Sequence, residues 1–139
     1  MSKKKTKVLI LSGGGFFGII IAKFLSYINS DFVSKIDCLS GCSIGGILAN
    51  VYASGANTKD VLQAFLEGGA KIFHKRFAAT LNPLASPTYD NKQLKLFIDK
   101  FVKDKKLGDI KKQFPNLNVV VPTLNLTDDN YHVFRNFVE

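Results

Sequence analysis

Short apolar runs alternate along the chain with glycine turns and with stretches of helical periodicity. Lys7 to Leu11 is an apolar run ending in Ser12-Gly13-Gly14-Gly15, which predicts a buried strand entering a tight turn. From Gly18, the positions Ile19, Ala22, Phe24, Leu25 and Ile28 recur at helical spacing until Asn29-Ser30-Asp31 break the pattern. A second strand is predicted at about Lys35 to Leu39, running into Ser40-Gly41-Cys42-Ser43-Ile44-Gly45-Gly46. Helical spacing then resumes with Ile47, Leu48, Val51 and Tyr52 up to Gly55. The repeated strand–turn–helix unit is what a parallel α/β sheet requires.

Asn57 or Thr58 is expected to cap a short helix that runs through Leu66 and stops at Gly68-Gly69. In residues 70–89, Lys71, His74, Lys75 and Arg76 interleave with Phe73 and Phe77 ahead of Pro83 and Pro87, and no element is assigned there. Asp90 followed by Gln93 resembles a capping box. Behind it, Leu94, Phe97, Ile98, Phe101 and Val102 form the clearest amphipathic helix of the chain. Leu117 to Val121 is read as a third buried strand ended by Pro122, and Tyr131 to Val138 as a fourth.

With 139 residues, 46% of them hydrophobic, the chain supports one compact core and not two. Residues 1–6 form a basic N-terminal tail, and residues 7–139 belong to one domain or part of one. The net charge of +8 favours anionic partners such as phospholipid headgroups or nucleic acid. Part of it lies between Lys92 and Lys112, where eight lysines face only Asp99, Asp104 and Asp109. That segment is a candidate for contact with an anionic membrane, or simply a solvated lysine face. Cys38 and Cys42 have no His or acid at ligand spacing, so neither a metal site nor a disulfide framework is expected. The apolar run Val8 to Leu11 is too short for a signal peptide, and no stretch reaches the roughly 18 apolar residues of a membrane span. A cytoplasmic or peripheral membrane location is expected.

Candidate chemistry lies in the two glycine turns. Gly41-x-Ser43-x-Gly45, after a strand and at the start of a helix, is the nucleophile-elbow pattern: the serine sits on a cramped turn that exposes its hydroxyl, beside the positive end of a helix. The first cluster, Gly13, Gly14, Gly15 and Gly18, supplies unhindered backbone N–H groups that could hold an oxyanion if the two turns are neighbours. It also satisfies G-x-G-x-x-G, with Asp37 at the distance of a ribose-binding acid, so an NAD(P)-dependent reductase is a rival reading.

A GGGxxG turn after the first strand, a helix, and then a strand ending S-G-C-S-I-G-G-I-L-A closely resemble the patatin-like phospholipase family. The similarity continues through Ala53-Ser54-Gly55 and, more loosely, through residues 89–112 and 119–125. The resemblance implies a three-layer α/β/α sandwich with a mainly parallel sheet, incomplete at the C-terminus, with residues 7–139 forming the N-terminal part of the domain. It implies a lipid acyl hydrolase with Ser43 as nucleophile, Gly14 and Gly15 as oxyanion donors, and Gly13 and Gly18 shaping the turn. Phospholipid or another acyl lipid is then the substrate, nucleic acid is not an expected partner, and neither metal nor organic cofactor is required.

The family's base is an aspartate in a downstream Asp-Gly motif, and this sequence contains no Asp-Gly pair. The aspartate is therefore expected beyond Glu139. Asp128, Asp129, His74 and His132 are weaker internal substitutes, and a catalytically incomplete lipid-binding or interaction module is the alternative function. Two further departures stand out: Phe17 occupies a position where the family often has Arg or Lys, and Cys42 one where it usually has a small residue.

Overall fold

The computed structural model describes residues 5–73, 91–125 and 127–137. Four strands, β1 (Val8–Leu11), β2 (Cys38–Gly41), β3 (Asn118–Asn125) and β4 (Asn130–Arg135), form one sheet in the order β1-β2-β3-β4. β1 pairs with β2 and β2 with β3 in parallel, and β4 joins β3 antiparallel, so the sheet is mainly parallel as expected. Five helices are seen among the described residues: α1 (Gly18–Leu25), α2 (Ile44–Ala53), α3 (Thr58–Ile72), α4 (Asn91–Val102) and α5 (Leu107–Gln113).

The fold is α/β, and its layers follow from the strand order. Parallel strands taken in sequence, each reached by a right-handed crossover, place their connecting helices on one face. Accordingly α2 packs on β1, β2 and β3, α1 and α4 pack against α2, and α3 packs against α1 and α4. Leu11, Leu39 and Val119 point into this layer and are buried with Leu48, Val51, Tyr52, Phe65 and Phe97. The opposite face carries Val8 and Ile10, the latter 72% exposed. The described residues thus supply the sheet and one helical layer, consistent with an α/β/α arrangement. Phe32 and Val33, on a 3₁₀ turn (Ser30–Lys35) in the stretch read from sequence only as a break, close the core against Tyr52. The Tyr52 hydroxyl is buried without a partner among the described residues, and burial raises its pKa.

Several boundaries differ from the sequence reading. β2 starts at Cys38 rather than near Lys35, so Asp37 stands before the strand and not within it. Asn57 is the cap of α3, its side chain accepting from the Lys59 and Asp60 N–H groups, but the helix runs through Gly68-Gly69 to Ile72. Packing overrides the glycine penalty: Gly69 is buried, and Phe16 lies against it. β3 continues through Pro122 to Asn125. The Val119 carbonyl points to the β4 side, where it accepts from the Asn136 N–H, whereas the Val120 carbonyl accepts from Ser40 Oγ on the β2 side. Alternation places the Pro122 nitrogen on the β2 side, beyond the last β2 partner, Ser40↔Val120, so its missing N–H breaks no ladder bond. Asp90, His74 and residues 75–89 of the unassigned segment lie outside the described residues.

One polar side chain secures the start of β3. Asn136 is buried; its Oδ1 accepts from the Val119 N–H at 2.8 Å and its Nδ2 donates to the Leu117 carbonyl at 3.0 Å. Asn136→Ala leaves the Val119 N–H unpaired in the interior and the Leu117 carbonyl with only the Lys111 ammonium at 3.4 Å. A loss of about 2–3 kcal/mol in urea unfolding is expected, whereas a loss below about 0.5 kcal/mol would show that water replaces the amide.

Candidate active site

Ser43 follows β2 directly and is the residue from which α2 starts. Its backbone sits at φ 54° and ψ −127°, a left-handed conformation that a residue with a Cβ adopts only under constraint. The constraint is the fit of the turn between β1 and α2. A Cβ on Gly45 would run into the Leu11 carbonyl, and one on Gly41 would run into the Gly45 carbonyl. The Cys42 N–H donates to the Leu11 carbonyl at 3.2 Å, and the Gly45 N–H returns to the Cys42 carbonyl at 2.9 Å. Ser43 does not cap α2 with its side chain, so the exposed hydroxyl is left at the positive end of a ten-residue helix.

The glycine loop after β1 lies against this turn. A Cβ on Gly13 would stand 3.4 Å from Ser43 Cβ. Gly14 has φ 142° and caps the 3₁₀ turn Gly15–Phe17, and the Phe17 N–H donates to the Gly14 carbonyl. Among the described residues, the N–H groups of Gly13, Gly14 and Gly15 donate to no partner. The ring of Phe16 meets Phe73 edge to face, 6.0 Å between centroids, and anchors the loop on α3. Gly18 backs onto Ile44, the first residue of α2. Gly13, Gly14, Gly15, Gly18, Gly41, Ser43 and Gly45 are therefore brought to the carboxyl ends of β1 and β2.

Beside Ser43 runs a groove of about 540 Å³, lined mainly by Ile47, Ile98, Val102, Val121, Pro122 and Leu124. Neither a carboxylate nor a histidine is among the described residues that line it. Sequence reading missed this groove. Ile98 and Val102 are read from sequence as part of an amphipathic helix and the third strand as ending at Pro122, and nothing local joins that helix to Pro122 and Leu124.

The rival sites come apart. Asp37 lies at the amino end of the sheet, where its carboxylate accepts from the Lys7 N–H at 2.8 Å. The glycine loop lies at the carboxyl end, so the acid and loop of a dinucleotide fingerprint are separated by the length of a strand, about 13 Å. Asp128 and His132 bind each other at 3.1 Å in the β3–β4 hairpin and make no hydrogen bond to Ser43. The Asn130 backbone N–H, then the His132 side chain, lower the pKa of the exposed Asp128 carboxylate, which lies in the hairpin turn. Among the described residues, no group of three His, Cys, Asp or Glu is arranged to hold a metal, and no helix is long and apolar enough to cross a membrane.

Patatin-like protein 2 of Oryza sativa subsp. indica is 27% identical over 96% of this chain and 38% of its own length. The cGAMP-activated phospholipase of Escherichia coli (strain TW11681) is 26% identical over 91% of the chain and 38% of that protein. Among solved structures, the type III effector protein ExoU superposes with a TM-score of 0.45 at 16% identity, over 94% of this chain and 35% of that one. The chain thus spans under two fifths of the length of these relatives. The family model described as patatin-like phospholipase matches residues 9–138, almost the whole chain, and the chain therefore belongs to the patatin-like phospholipase family.

Proposed function

We propose that the protein to which these residues belong hydrolyses an acyl ester of a lipid, a phospholipid in the first instance, through an acyl intermediate on Ser43. The observation that carries the reading is the meeting of three features at one sheet edge. The Ser43 hydroxyl is exposed on a strained turn, the N–H groups of Gly14 and Gly15 are unpaired among the described residues, and an apolar groove opens beside them. Attack by Ser43 Oγ on the ester carbonyl would form a tetrahedral intermediate whose oxyanion the loop N–H groups bind, and the acyl chain would lie in the groove. Collapse expels the alcohol, here the lysolipid, and water then releases the fatty acid.

The proton of Ser43 needs an acceptor. We assign it to an aspartate outside these 139 residues, in keeping with family membership, with a groove whose described lining holds no carboxylate, and with the 38% of its relatives' length that the chain spans. A second reading, a lipid-binding module without hydrolysis, draws on the same absence. Release of free fatty acid from phosphatidylcholine by the complete protein decides between them; lipid binding without release selects the module.

The groove makes a separate prediction. Ile98→Phe narrows it at α4, so kcat/KM for a long-chain p-nitrophenyl ester should fall about tenfold relative to a butyrate ester. An unchanged ratio would place the acyl chain elsewhere.

A further inference from the structure

α1 is apolar on both sides. Gly18, Ala22 and Leu25 are buried against the molecule, yet on the opposite side Phe17, Ile20, Phe24 and Tyr27 are 68%, 62%, 64% and 76% exposed. At 100° per residue Ile20, Phe24 and Tyr27 fall on one stripe, which Phe17 extends toward the glycine loop. Lys23 borders it, with Nζ 4.8 Å from the centre of the Tyr27 ring. No acidic residue occurs between Gly13 and Ser30. A contiguous aromatic and aliphatic surface on a helix, edged by a cation, marks a contact site and not ordinary exposure.

We infer that this stripe is the surface on which the protein sits on an anionic lipid interface. Three observations favour lipid over other occupants. The stripe begins two residues after Gly15, in the loop where a Cβ on Gly13 would stand 3.4 Å from Ser43 Cβ, so a surface seated there lies next to the proposed acyl-transfer site. Aromatic rings with a lysine at their edge suit the boundary between headgroups and acyl chains. A second copy would set Lys23 and the acid-free stretch between Gly13 and Ser30 against a like surface, whereas an anionic bilayer complements them. The inference rests on the lipid hydrolase reading for the identity of the surface, but its test does not require hydrolysis.

The experiment is sedimentation of the complete protein, carrying Ser43→Ala, with vesicles of phosphatidylcholine alone or mixed with phosphatidylserine. Ile20→Ser combined with Phe24→Ser should lower vesicle binding about tenfold or more, and Lys23→Gln should lower it about fivefold on the anionic vesicles only. With Ser43 restored, the Ile20/Phe24 pair should keep its rate on a soluble butyrate ester while losing activity on vesicles. Lys23 is exposed, so Lys23→Gln tests the inference even where the double variant folds poorly. Wild-type binding by these variants would overturn the inference. So would a lowered melting temperature or a changed oligomeric state with vesicle binding intact, which would mean that a further chain segment or a second copy covers the stripe. Failure of the hydrolase reading is seen separately, as vesicle binding without fatty-acid release by the Ser43 protein.

Discussion

Ser43→Ala in the complete protein is expected to remove ester hydrolysis, with a fall of about 10⁴-fold or more in kcat, and to abolish labelling by a fluorophosphonate. The expectation follows from position: Ser43 Oγ is the exposed hydroxyl at the start of α2, with the Gly13 backbone against its Cβ. Nothing else along the described groove is a strong nucleophile except Cys42, whose neighbouring place in the turn would become visible as residual labelling by a thiol reagent. The 139 residues alone should react slowly with the fluorophosphonate, because the groove's described lining offers no base. Rapid labelling of this fragment would place the base within it. Ser43→Gly should be equally inactive but more stable, because glycine tolerates φ 54° without the roughly 1–3 kcal/mol of backbone strain that a side chain incurs. Equal melting temperatures for the Gly and Ala variants would show that the elbow is not strained.

Gly45→Ala is expected, like Gly41→Ala, to be among the most damaging methyl additions in the described residues. The added Cβ meets the Leu11 carbonyl and the Ser12 carbonyl, both backbone atoms of the neighbouring turn, so no rotamer change can relieve it. Either α2 lifts from β1 or the loop that carries Gly13 to Gly15 moves away from Ser43. A loss of about 3 kcal/mol or more in denaturant unfolding is expected, and any folded remainder should lose fluorophosphonate reactivity because the two turns no longer meet. Gly68→Ala is the control: a Cβ there meets nothing, and alanine in a helix should leave stability equal or improved. If Gly45→Ala behaved like Gly68→Ala, the close approach of α2 to β1 would be wrong.

The local order of the chain was legible because it is written in short-range patterns. The run before Gly13 and the helical spacing after Gly18 and after Gly46 gave β1, α1 and α2, and Gly41-x-Ser43-x-Gly45 marked the elbow, since a cramped turn tolerates few residues. Boundaries were less legible wherever a distant contact outweighed a local preference. Gly68-Gly69 reads as a stop, yet α3 passes through because Phe16 packs on Gly69. Pro122 reads as an end, yet β3 continues because β2 has already turned away at Gly41.

The sequence by itself determined the alternation of strand, glycine turn and helix, and it singled out Ser43 and the glycine loop as candidates, because periodicity and steric tolerance act within a few residues. Only the tertiary structure decided that Gly13 lies beside Ser43, that Asp37 stands at the far end of the sheet, and that Ile98 and Leu124 border one groove. It alone separated the buried side of α1 from its exposed one, both equally apolar in sequence. Those relations join residues tens of positions apart, and parallel pairing with helix packing fixes them; no local pattern carries that information.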